Sequence, residues 1–173
     1  MKQDCRSLVG MLAVGLLALA PVYAQKSQEN SANRMGSADQ TFVTKAAHGG
    51  LAEVKLGTLA TQKAANADVK AFGQQMVDDH SKANDELKQL ASGKGITLPT
   101  DIDAKDQATY DHLSKLSGAA FDRAYMQHMV ADHRTDVAEF RHESQSGGDN
   151  AQPVFSGLIA QLDQTEIQND HFT

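Results

Sequence analysis

FGQQMVDDHSKANDELKQL at residues 72–90 and YMQHMVADHRTDVAEFRHE at residues 125–143 are one pattern written twice, 53 positions apart. The register pairs Phe72 with Tyr125, Gln75 with His128, Met76 with Met129, Asp79 with Asp132, His80 with His133, Glu86 with Glu139 and Leu87 with Phe140. In each copy the apolar residues recur at steps of three or four. Phe72, Met76, His80, Ala83, Leu87 and Leu90 form one stripe, and Tyr125, Met129, His133, Asp136 and Phe140 form the other. That period is helical, so two helices of one bundle carry the same Asp-His pair at the same relative height.

Working outward, the stretch before the first copy gives another helix, with the stripe Phe42, Ala46, Gly49, Glu53, Leu56, Ala60. Glu53 is an acid where the period calls for an apolar residue. Ser37 or Asp39 is the expected cap of this helix, and its many small residues predict close approach of a neighbour. Asn66 or Asp68 starts the second helix, and Ser92 to Gly95 ends it. Asp101 or Asp103 caps a short third helix through Tyr110 and Leu113, which Ser117-Gly118 interrupts. The second copy lies on a long fourth helix that starts at Ala119. A last helix is expected from about Gln152 to Asp170, with Pro153 in its first turn. Alternation of period two is absent, so the fold class is an all-α four-helix bundle with an additional short helix in the long crossover. Residues 92–118 are too many for a tight hairpin, and a crossover of that length predicts that the two copies run parallel.

The chain has 173 residues and a formal net charge of −6. Lys2 and Arg6 precede the apolar run Leu8 to Ala20, and Val22-Tyr23-Ala24 precedes polar Gln25. This predicts a signal peptide over residues 1–24, cut after Ala24, and a periplasmic location. The apolar run is shorter than the roughly 20 residues a bilayer crossing needs, so no transmembrane segment is expected in the mature chain. Residues 25–37 are polar and aperiodic and read as a disordered linker, leaving 38–173 as the helical bundle domain. The leader holds Cys5, the sole cysteine, so no disulfide is expected. It also holds two of the 16 basic and one of the 22 acidic residues, which leaves 14 against 21 and a formal −7. That charge, with export, excludes nucleic acid as a partner, and no basic amphipathic face suits a membrane surface. A protein partner or a second copy of the chain stays open.

Two readings of the Asp-His pairs stay open. In one, the histidines are buried, hydrogen-bonded to aspartates across the helix interface, and fix register alone. In the other, Glu53, Asp79, His80, Asp132 and His133 converge on a divalent metal, because imidazole and carboxylate together suit iron, zinc, manganese or copper. A ferritin-like di-iron pattern wants Glu-x-x-His on two helices. Here the step occurs at Glu139 to His142, while its counterpart is Glu86 to Gln89. Met76 and Met129 stand one turn before the histidines, a spacing that fits a thioether ligand for copper and also plain core packing. His48, His112 and His171 read as surface or edge residues, and Asp122 as a stabiliser of a helix N-terminus. Hydrolase elbows, phosphate loops, His-Glu-x-x-His and a mature cysteine nucleophile are all missing, so no catalytic residue and no organic cofactor is assigned.

These residues resemble the exported bacterial family catalogued as domain of unknown function 4142. The similarity rests on Phe42-Val43, Ala46-Ala47, Gly50-Leu51-Ala52-Glu53, Leu56-Gly57, Val69-Lys70-Ala71-Phe72, Met76-Val77-Asp78-Asp79-His80, Leu98-Pro99, the run Gly118 to Tyr125, and Asp132-His133. It covers about residues 38–165. The resemblance implies a ferritin-like helical bundle located in the periplasm or envelope, without an established activity. It also implies a Leu-Pro-x-Leu-x-x-His-like step in the last helix, where this chain has Ala160 for the proline and Thr165 for the histidine. Asp163 or Glu166 would have to replace that histidine if it were a ligand. Two function classes follow: an envelope protein with a structural, stress-related or partner-binding role, and a metal-binding or redox bundle.

Overall fold

The computed structural model describes residues 36–146. The leader over 1–24, most of the linker, and the last helix with Ala160, Asp163, Thr165, Glu166 and His171 lie outside the described residues.

Four helices follow one another: α1 Ser37–Lys63, α2 Ala67–Lys94, α3 Ala104–Ser114 and α4 Gly118–Ser146. No strand occurs among the described residues. The chain is an all-α ferritin-like four-helix bundle whose short helix, α3, sits in the long crossover. Local chemistry sets the boundaries. The Asn66 side chain accepts from the Asp68 N–H at 2.7 Å and caps α2, and Asp103 does the same for the Asp106 N–H at 2.8 Å at the start of α3. α2 runs through Ser92 and Gly93 and ends at Gly95, whose φ of 69° is left-handed, so that the Ile96 N–H reaches back to the Ala91 carbonyl at 2.8 Å. The start of α1 differs from the expected cap. Gly36 holds the N-cap position without a side-chain bond, and Asp39 lies in the first turn, buried, where its charge complements the helix dipole.

Ring and side-chain contacts fix the directions. Phe72 meets Tyr125 at 6.2 Å and His80 meets His133 at 6.1 Å. Both pairs are eight residues apart in the same sense, so α2 and α4 run parallel. Phe42 meets Phe140 at 4.8 Å while Glu53 meets His133, so α1 runs antiparallel to α4. α1 packs tightly against α2 through Gly57 and Gly73. A Cβ built on Gly57 would stand 2.6 Å from the Gly73 carbonyl oxygen, and one on Gly73 would stand 2.7 Å from the Ala60 Cβ. Asp122, at the start of α4, serves a helix other than its own. Its two oxygens accept from the Ala65 and Asn66 N–H groups at 3.0 and 2.9 Å and hold the α1–α2 turn.

Lys55 fastens the crossover to α1. Its Nζ donates to Gln107 Oε1 at 3.0 Å, lies 3.7 Å from Asp101 and stands over the Tyr110 ring. His48 adds a ring-nitrogen contact to the Asp101 carbonyl at 3.0 Å. The apolar core forms two clusters. One holds Leu56, Phe72, Met76, Tyr125 and Met129; the other holds Phe42, Val43, Leu87, Val137 and Phe140. Met76 and Met129 are fully buried among the first set. On α1, α2 and α4 alike, a polar layer lies in sequence between the two clusters, and it contains Glu53, His80 and His133.

Candidate metal centre

Three helices bring donors into that layer. Glu53 from α1 and His133 from α4 are each 1 % exposed, and His133 Nε2 lies 3.4 Å from Glu53 Oε1. His80 from α2 stacks on His133 with 5° between the ring planes. One ligand atom each from Glu53, His80 and His133 falls within 4.8 Å of the others. Glu53, Asp132 and Asp136 form a second such group, also within 4.8 Å, in which the aspartates are half-buried. Glu53 belongs to both.

The helix period explains how one segment of α4 serves two groups. His133 is turned about 100° from Asp132, whereas Asp132 and Asp136 are one turn apart and share a side. On α2 the same rotation carries Asp79 away from His80, and Asp79 joins neither group. Asp136 is a candidate donor that the sequence-derived set does not contain. Its counterpart in the first copy is Ala83, so the repeat did not mark it. An acid in an otherwise apolar stripe was the available signal, the same one that marked Glu53.

The layer is electrostatically costly without a ligand. Burial first, then the facing carboxylates of Asp132, Asp136 and Asp106, hold the Glu53 carboxyl well above its ordinary range. Burial, with Asp132 and Glu139 beside it, pushes Asp136 up to about 7. Burial lowers His80 to about 4, and burial together with the neighbouring His80 lowers His133 to about 4. Both imidazoles are therefore neutral near pH 7, the form that ligates metal. Neither Glu53 oxygen makes a hydrogen bond of good geometry among the described residues; His133 Nε2 lies 3.4 Å from one of them, and the acid Asp132 raises the cost of its charge. A buried polar group left unsatisfied costs about 1–3 kcal/mol, and more when charged. A cation bound between these groups would reverse the sign of that cost. The donor chemistry fits, since two neutral imidazoles and a carboxylate suit zinc, iron(II), manganese or copper.

An all-α ferritin-like bundle crossed by a buried acid–histidine layer is thus the class that fold and site define. A family model described as domain of unknown function (DUF4142) matches residues 24–152, and the chain belongs to that family. No curated protein and no solved structure matches it. Among the described residues no helix is long and apolar enough to cross a membrane.

Proposed function

We propose that this is an exported, periplasmic metal-binding bundle in which Glu53, His80 and His133 hold a divalent transition metal. One observation carries the reading: Glu53 is buried to 1 % exposure, its oxygens make no hydrogen bond of good geometry among the described residues, and it lies within ligand distance of two neutral imidazoles. A carboxyl kept for register alone would be matched by donors of good geometry, whereas the side chains beside Glu53 are the acids Asp132 and Asp136 and two imidazoles, each with a single N–H to give. The register reading asks each histidine to donate to an aspartate across the interface, whereas the carboxylate facing His133 Nε2 is Glu53. Export rests on the basic, apolar and small-residue order of residues 1–24, and it accords with membership of the family.

The test is a thermal melt of the unmodified protein, His80→Ala and His133→Ala, each in chelator and then with zinc, iron(II) or copper. Metal binding to the folded state raises the midpoint by mass action. We expect a metal-dependent rise in the unmodified protein that both variants lose, together with near-stoichiometric metal after purification from the periplasm. Equal midpoints with and without each metal would return the pair to a register role and the protein to a structural or partner-binding class.

A further inference from the structure

We propose a second cation subsite beside the first, formed by Glu53, Asp132 and Asp136, that takes a hard divalent cation such as manganese(II) while Glu53 is shared between the two. The inference rests on the metal-binding reading above and extends it from one ion to two of different kind.

Three acids in one place are not in themselves a site, but Glu53 supplies the independent observation. Its side chain is 1 % exposed, its oxygens make no hydrogen bond of good geometry among the described residues, and the same carboxylate lies within 4.8 Å of donors from both groups. A shared proton can reconcile two facing carboxyls. A cation can join three. One divalent ion at the histidine subsite leaves Asp132 and Asp136 beside Glu53 as two further oxygen donors, and Asp106 from α3 is buried as well. A carboxylate has two oxygens, so Glu53 can serve both ions.

The two subsites differ in donor chemistry and in depth. The first offers imidazole nitrogen, which suits zinc, iron and copper. The second offers oxygen alone, which suits manganese, magnesium or calcium. Asp132 and Asp136 are half-buried, whereas Glu53 and His133 are fully enclosed. The oxygen subsite is therefore the outer one, filled second and exchanged faster.

The experiment starts from metal-free protein. Zinc(II) is titrated to saturation by calorimetry, manganese(II) is then added, and loss of the free manganese signal is followed by electron paramagnetic resonance. The expected result is one tight equivalent of zinc and one further equivalent of manganese. Asp136→Asn keeps the zinc and weakens manganese at least tenfold, while His80→Ala weakens zinc at least tenfold and changes manganese less than threefold. A second zinc equivalent that Asp136→Asn abolishes supports the subsite equally. Manganese that only competes with zinc for a single equivalent, fails to bind where zinc has taken one equivalent, or binds Asp136→Asn as well as the unmodified protein overturns it. Should Asp136→Asn fail to fold, Asp132→Asn replaces it, and the count of equivalents in the unmodified protein decides without any variant. A single equivalent of zinc bound without manganese defeats this inference alone. Manganese bound without zinc defeats the histidine subsite and leaves the oxygen subsite standing.

Discussion

Replacing Glu53 by glutamine keeps the size of the side chain and removes its charge, which separates the cost of the acid from its use. Without metal, the buried carboxyl either holds a proton or bears a charge among other acids, and at pH 8 the second state weighs more heavily. The amide can donate to Asp132 or to an imidazole. We expect Glu53→Gln to raise the stability of the metal-free protein at pH 8 by about 1–2 kcal/mol, within the range found when a buried charge is replaced by a neutral group of similar volume. The same variant should lose the rise in melting temperature on adding metal. Denaturant unfolding in chelator checks the first outcome and a melt with zinc the second; a destabilised metal-free Glu53→Gln would show that the carboxylate is satisfied in the apo fold. At this scale the sequence was partly legible. Glu53 declared itself as an acid in an apolar stripe, and His80 and His133 declared themselves through the repeat. Asp79 came in by adjacency to His80, but residues adjacent on a helix face different neighbours. Asp136 stands in the stripe of α4 opposite Ala83 of the first copy, and repeated chemistry does not mark a side chain that occurs once.

At the scale of the helix, the α1–α2 contact is made where both helices lack a Cβ, and the glycines of α1 are not equivalent. A Cβ on Gly57 meets the Gly73 carbonyl oxygen at 2.6 Å and Met76 Cβ at 3.0 Å, whereas one on Gly49 meets nothing within 4 Å. Alanine is favoured over glycine in a helix interior by about 0.8–1.0 kcal/mol. Overpacking a closed contact costs about 1–3 kcal/mol, and backbone atoms cannot rotate aside as a side chain can. Gly49→Ala should therefore stabilise by about 1 kcal/mol and Gly57→Ala should destabilise by about 1–2 kcal/mol net, measured as shifts in the urea midpoint at unchanged slope. Equal effects at the two positions would mean that the helices separate freely. Small residues along α1 announced close packing in the sequence, but not which of them touch, because that depends on the rotation of α1 about its own axis. The direction of packing was more legible. A repeat read in the same sense on two helices, with 23 residues between the end of α2 at Lys94 and the start of α4 at Gly118, left parallel α2 and α4 as the arrangement that puts like residues side by side, and the Phe72–Tyr125 and His80–His133 contacts have that form.

For the whole molecule, the layer makes stability depend on pH in opposite ways with and without metal. His80 and His133 fall to about 4 from 6.5 on folding, so they contribute stability at pH 6.5 and above that is lost as pH drops toward 4. Glu53 and Asp136 move the other way. Their folded pKa values are raised, Asp136 to about 7, so the stability they contribute is complete only below their unfolded values of 4.5 and 3.8 and is lost as pH rises. Between about pH 4.5 and 6.5 the two pairs oppose each other and the slope is small. Above pH 6.5 the histidines are neutral in both states and only the acids act, so the metal-free protein should lose stability from pH 6.5 to 8. Bound cations displace the protons from the carboxyls and turn mutual repulsion into attraction, and they compete better as protons become scarce. The gain in melting temperature on adding zinc at a fixed concentration should accordingly be larger at pH 7.5 than at pH 6. Melts across that interval, in chelator and in zinc, give both curves from one preparation. A metal-free midpoint that climbs from pH 6.5 to 8 would mean that Glu53 is ionised and compensated in the folded chain, and it would remove the electrostatic reason for a cation in the layer.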